Sequence, residues 1–313
     1  MRNQLKGESL DIECCGGQIL PDSSYAVFKY HLFDGDDLVV GDNHFAAFDE
    51  VKGRPAPYRL RDPEQHDFKN FIFDLQHFRD EGLGYFTFGV GYQITERPEQ
   101  QYNAETEKIS LVMRDANDMR YTRGVFVPSI GASAFRDASG NQLAATGGAG
   151  RVRAIFETHS ELDFQYDLTA TKEDVSSAIR NLRLVEMKFT VRPFNPHPAN
   201  PGIELDKLLR TAKVGKLTAT AKPADGGALS PDNGGLVSEA QGLVEKGYGQ
   251  SGLTATTEDG ATVKYKPRVF SGDKEKDQAT TEKPRQLHIS VEREVGEEKR
   301  IAKALMEIFE NGD

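Results

Sequence analysis

The chain has 313 residues, enough for two domains of ordinary size, and its 49 Asp and Glu against 39 Lys and Arg set a net charge of −10. No apolar run reaches the roughly 18 residues a bilayer requires, and the first residues lead into a charged segment rather than a signal-peptide core, so a cytoplasmic protein with no direct membrane insertion is expected. Cys14 and Cys15, the two cysteines, are adjacent, which excludes a disulfide framework and zinc-ligand spacing and suits a reducing compartment.

The first half reads as short strands divided by turns. Tyr25 to Phe33 is rich in β-formers, Asp34-Gly-Asp-Asp37 is a turn, and Leu38–Val40 and His44–Phe48 read as further strands. A helix or a strand could explain Asp67 to Phe78; the apolar positions Phe68, Phe71, Ile72, Leu75 and Phe78 fit helical spacing, and the segment is read as an amphipathic helix. Tyr85–Tyr92, Ile109–Met113 and Val125–Val127 return to strand. Residues 1–136 are therefore expected to form a mainly antiparallel β domain.

Residues 137–150, Asp-Ala-Ser-Gly-Asn-Gln-Leu-Ala-Ala-Thr-Gly-Gly-Ala-Gly, are small and polar with little to bury. They read as a hinge or interdomain linker, the alternative being a long surface loop within one domain. Residues 151–313 then form an α+β domain with helices laid on one sheet. In it Val152–Phe156 reads as strand, Leu162–Leu168 alternates as a half-buried strand, and a helix runs from Thr171 to about Leu182. The clearest strand turns Val185, Met187, Phe189 and Val191 one way and Glu186, Lys188, Thr190 and Arg192 the other, ending in the prolines from Pro193 to Pro201. A helix over Ile203–Ala212, a strand over Val214–Ala221 and a helix carrying Leu236, Val237, Ala240, Leu243 and Val244 follow. Leu253–Thr257 and Val263–Lys266 make a hairpin across Glu258-Asp-Gly260, Ser271–Lys283 is a charged loop, Leu287–Val291 is a strand, and Val295, Ile301, Ala302, Leu305, Ile308 and Phe309 line the inner face of a last helix.

Motifs for catalysis are weak, and no enzyme activity, metal or cofactor is expected. His159, Glu161 and Asp163 would share one face of a strand and could ligate a metal, or they are its solvated face. Thr146-Gly-Gly-Ala-Gly-Arg151 resembles a phosphate-cradling loop, but it lacks the following Lys-Ser/Thr and leads into an expected strand, which leaves no helix N-terminus for the anion. No Gly-x-Ser-x-Gly elbow anchors a triad, and Asp34, Asp36 and Asp37 fit a plain turn better than a calcium loop.

The basic residues are the more informative set. On the helix from Ile203, Leu205, Leu208, Leu209 and Ala212 fall on one side and Lys207, Arg210 and Lys213 nearly opposite, with Lys216 and Lys222 continuing the charge. Lys264, Lys266 and Arg268 would join them if the hairpin lies alongside. Arg120, Arg123, Arg151 and Arg153 form a sparser second group. A focused patch can hold a phosphate backbone in an acidic chain because screening confines each field to roughly 10 Å. The set Lys207, Arg210, Lys213, Lys216, Lys222, Arg151 and Arg153 is thus the expected DNA-binding surface, and an ordinary solvated helix face is the alternative.

Thr171-Lys-Glu-Asp-Val175 opening a helix, the alternating strand after it, a helix ending in Val244-Glu-Lys-Gly-Tyr248 and a Glu-rich amphipathic C-terminal helix together resemble the soluble RexA component of phage-exclusion systems, over residues 160–310 and more in element order than in residues. The resemblance implies a two-domain, DNA-binding homodimer of an anti-phage defence system, phage- or prophage-encoded, working with a separately encoded membrane protein. The acidic balance and the long 271–283 segment depart from the more lysine-rich family pattern. A metal-dependent hydrolase or nuclease, and a protein-interaction or virion structural module, are the rival classes.

Overall fold

The computed structural model describes residues 22–58, 69–80, 82–103, 108–137, 145–167, 178–193, 204–224, 227–231, 235–245, 248–266, 286–294 and 296–309. In chain order these give β1 (Ser23–Asp34), β2 (Asp37–Leu38), α1 (Asn43–Val51), β3 (Ala56–Pro57), β4 (Lys69–Asp80), β5 (Leu83–Asn103), β6 (Lys108–Val127) and β7 (Ala132–Arg136). Then follow α2 (Ala145–His159), β8 (Asp163–Asp167), β9 (Arg183–Val191), α3 (Glu204–Thr211), β10 (Leu217–Ala221), α4 (Leu236–Glu245), β11 (Gly249–Thr256), β12 (Thr262–Lys266), β13 (Gln286–Val291) and α5 (Glu297–Phe309). The class is α+β, and the strands join one antiparallel sheet in the order β10-β9-β11-β12-β13-β1-β7-β6-β5-β4-β3, with β2 and β8 also on β1. Beyond Tyr92 and Arg120, β5 and β6 continue as a two-stranded ribbon to Asn103 and Lys108.

β1 sits where the two halves of the chain meet, pairing with β13 through Ser23–Ala26 and with β7 through Tyr25–Lys29. Its residues alternate between two apolar cores. Tyr25 and Val27 join the core covered by α3, α4 and α5, whereas Ala26, Phe28, Tyr30 and Leu32 join the core covered by α1 and α2. Tyr25–Phe28 are buried on both faces and carry no polar phase, whereas from Lys29 onward the strand alternates, with Tyr30 and Leu32 buried and His31 exposed. The second core is aromatic: Phe48 lies with ring centroids 5.0–5.2 Å from Phe86, Phe88, Phe126 and Phe156.

Four expectations about local structure are corrected. Residues 69–80 are strand β4, not a helix; Asn70 and Ile72 are buried in strand alternation, and a bulge between Phe73 and Gln76, with Asp74 at φ 49°, moves the next buried residue to Leu75. The extra residue turns a spacing of two into three and imitates a helical period. His44–Phe48 lies in helix α1, whose His44, Ala47, Phe48 and Val51 are buried at i, i+3, i+4 and i+7. Val152–Phe156 lies in helix α2, which buries Ala149, Val152, Ile155 and Phe156, so Ala145–Gly150 of the expected linker are its opening turns. In β9, Val185 is half-buried and Leu184 takes its inward place, because the register shifts by one residue against Thr254 and Ala255.

The β8, β11–β12, β13 and C-terminal helix expectations match the elements found. Residues 178–181 are helical and Ala178, Ile179 and Leu182 are buried, while the rest of the Thr171–Leu182 helix, the 271–283 loop, Phe68, Arg268 and Val295 lie outside the described residues. No helix among the described residues is long and apolar enough to cross a membrane.

Candidate nucleic-acid interface

The expected basic residues divide between the two faces of the sheet. α3 packs through Leu205 and Leu209 onto the first core, and β10 is the sheet edge beside it. Leu208, 63% exposed, and Ala212, also exposed, do not join that apolar face, which corrects the four-residue stripe read from sequence. The helix is only eight residues long, so its apolar contact narrows to Leu205 and Leu209.

The charges of α3 are locally balanced. Lys207 Nζ lies 3.4 Å from Glu204, and Arg210 Nε donates to the buried Asp206 at 2.8 Å. Lys213 closes the helix in the left-handed conformation at φ 54°, its N–H donating to Arg210 O and the Val214 N–H to Leu209 O. These two bonds form a Schellman closure with lysine where glycine is usual. The closure holds Lys213 on the surface, and Lys216 is exposed at the entry to β10.

Along β10, Thr218 and Thr220 face solvent while Leu217 and Ala219 pack on the first core. Thr218 pairs with Thr190, their hydroxyls 3.1 Å apart, and Thr220 pairs with Lys188. Glu186 lies between Lys188 at 3.0 Å and Lys222 at 3.2 Å, and those two ammonium groups hold its carboxyl below the usual range. Lys188 thus completes the cluster. The sequence had shown its outward phase on β9 without showing that β10 pairs beside it.

Arg151 and Arg153 stand elsewhere, on α2 and the opposite core. Arg153 is exposed and bridges Glu157 at 2.7 Å. Arg151, 2% exposed, is an interior residue: its Nε donates to the buried Asn70 Oδ1 at 2.8 Å and its guanidinium lies 4.7 Å from the Tyr58 ring and 5.9 Å from that of Tyr92. The helical periodicity of α2 turns it inward with Ala149, Val152 and Ile155. Arg123 pairs with Asp74 at 2.8 Å, so the second basic group is dispersed as well.

The metal-ligand pattern also dissolves. His159 ends α2 and its Nε2 lies 2.9 Å from Pro55 O, so it does not alternate with Glu161 and Asp163 along a strand. Among the described residues no group of three or more His, Cys, Asp or Glu is arranged to hold a metal ion. Comparison with protein-family models, curated proteins and solved structures finds no match.

Proposed function

We propose that the chain binds duplex DNA through its phosphate backbone, with little sequence preference, using Lys188, Lys207, Lys213, Lys216 and Lys222 around the β10 edge. The observation that carries this reading is the gathering of exposed lysines and threonine hydroxyls on α3, β9 and β10, since lysines and hydroxyls are phosphate-contacting groups and do not by themselves read base edges. Arg210 joins the rim beside Asp206. The resemblance to the soluble phage-exclusion component supports placing this activity in an anti-phage defence protein that acts as a cytoplasmic homodimer of two-domain chains beside a membrane partner. No catalytic role is assigned.

Each neutralised phosphate contributes about −0.9 to the slope of log affinity against log salt, so one contact from each of the five lysines gives about −4.5 per protomer. The test is duplex retention across a salt series for the wild type and for a Lys213→Glu, Lys216→Glu, Lys222→Glu variant, with folding checked by circular dichroism. Loss of binding in a folded variant supports the reading. Absence of wild-type binding at about 50 mM salt overturns it, because net repulsion has then exceeded the local patch.

A further inference from the structure

Among the described residues four large apolar side chains stand exposed: Leu38, Val40, Leu208 and Leu236. Single apolar residues on a surface are ordinary. Leu38, 50% exposed, and Val40, 61% exposed, are not single, because they flank Val39 and with it and Leu162 line an open cleft of about 350 Å³ beside the β1–β2 turn. The cleft stands on fixed backbone: the Val39 N–H donates to Leu32 O at 2.8 Å, and Val39 O accepts from His44 Nε2. Asp34 and Asp37 belong to the same lining, and Asp36 lies in the turn between them. All three carboxylates are exposed, and none has an ion-pair partner among the described residues. The cleft therefore joins an apolar wall to uncompensated negative charge.

The complement of that surface lies on the same chain. Leu208 of α3 is 63% exposed, and Ala212, one turn on, is exposed as well. Lys207 precedes Leu208, and Lys213 and Lys216 follow the helix, both exposed and without a carboxylate partner among the described residues. Lys207 lies 3.4 Å from the exposed Glu204, a surface pair that contributes little and exchanges readily. A chain does not satisfy its own cleft: from β10, beside α3, to β1 the sheet runs through β9, β11, β12 and β13, five strand spacings or about 24 Å.

We infer that α3 of one copy of this chain docks in the cleft of a second copy, Leu208 entering against Leu38, Val40 and Leu162 while Lys207, Lys213 and Lys216 meet Asp34, Asp36 and Asp37. The contact joins unlike surfaces, so every chain offers one helix and one cleft. It stands independently of duplex binding, although it draws on some of the same lysines. Salt gives it a signature. Each copy carries a net charge of −10, so whole copies repel and added salt relieves that repulsion. Opposed local patches attract, and added salt weakens them instead.

The experiment is sedimentation velocity of the full chain, without nucleic acid, at low and high salt. Wild type associates at about 50 mM salt and disperses at about 500 mM. Asp34→Lys with Asp37→Lys, and separately Lys207→Glu with Lys213→Glu, each weaken association by about tenfold or more. Mixing these two variants restores it, because the first still carries the native helix and the second the native cleft. Leu208→Ser, at an exposed position, weakens association with every charge in place. Circular dichroism checks folding, and if a charge variant does not fold, Leu208→Ser and Val40→Ser decide. A wild type that stays monomeric at low salt leaves the cleft to a different basic partner and overturns the inference. Association that strengthens with salt, that Leu208→Ser leaves unchanged, or that mixing folded charge variants does not restore overturns it as well. Failure of duplex binding leaves all of these results intact.

Discussion

The Tyr25 hydroxyl donates to Glu297 Oε1 at 2.8 Å, tying the central strand β1 to the first turn of α5 across 272 positions of sequence. Arg136 approaches the same carboxylate at 3.5 Å and Glu297 Oε2 has no partner among the described residues, so the phenol is the closest donor to a buried acid. Burial, then the Glu297 charge, pushes the Tyr25 phenol far above its ordinary value, which keeps it a donor at every pH the fold experiences.

Tyr25→Phe is therefore expected to cost about 1–3 kcal/mol, the penalty of leaving a buried acceptor short of its partner with side-chain volume almost unchanged. Urea unfolding should show a lower midpoint at unchanged slope. A change below about 0.5 kcal/mol would show that Arg136 and the helix N-terminus suffice for Glu297.

His44 supplies a pH dependence with a defined sign. Val39 O can only accept, so Nε2 carries the proton and Nδ1 accepts from the Tyr30 hydroxyl 3.0 Å away. Burial depresses the His44 pKa despite the Val39 bond, and the neighbouring His31 adds to the depression. The unfolded chain, titrating near 6.5, takes up a proton before the native state does. Stability from this site is complete above about pH 6.5 and is lost as pH falls from there through the native value. The measurement is unfolding free energy at pH 7.5 and 5.5 for wild type and His44→Gln, with a smaller acid loss expected in the variant. A native His44 titration midpoint at or above about 6.5 by NMR would contradict the sign.

How much of this was legible varies with how many faces an element buries. β8, β9 and α5 each have one covered face, and their periodicities reveal them; Phe164, Met187, Phe189, Ile301 and Leu305 are buried as their phases require. β4 was illegible because the bulge at Asp74 inserts one residue and forges a helical spacing, and no local residue announces it. α2 was illegible because Gly147, Gly148 and Gly150 carry low helix propensity, while side chains of Arg151, Phe135 and Tyr58 approach the space their absent Cβ atoms leave. The β10 lysines were visible as charge, but Lys188 joins them only through strand pairing, and Arg151 left the surface through the helical phase of α2.

Two glycines of β5 separate a hard contact from a soft one. A Cβ on Gly91 would lie 2.0 Å from Arg120 O and 2.6 Å from Tyr121 Cα, both backbone, whereas one on Gly89 would meet only the half-buried Phe73 ring among its nearest atoms, at 2.3 Å. Backbone in a paired strand has no rotamer to change, but the ring has. Gly91→Ala is expected to destabilise by about 3 kcal/mol or more and Gly89→Ala by about 1–2 kcal/mol. Thermal unfolding of the pair checks the order, and equal losses would mean that β6 yields as readily as Phe73.

Lys213 joins stability and the proposed interface at one residue. Its left-handed backbone costs an L side chain roughly 1 kcal/mol that glycine does not incur, and the two bonds that close α3 use backbone atoms alone. Lys213→Gly should therefore raise stability by about 0.5–1 kcal/mol, the larger unfolded-state entropy of glycine offsetting part of the relieved strain. If the ammonium contacts a phosphate, the same variant loses about 0.9 from the salt slope of duplex binding, so a more stable protein binds more weakly. Lys213→Asn separates the contributions, because asparagine tolerates the left-handed region but carries no charge: it should match glycine in binding and fall between lysine and glycine in stability. A Lys213→Gly protein that is more stable with an unchanged salt slope removes Lys213 from the interface, and one that is less stable shows that the lysine stem contributes packing beyond its backbone role.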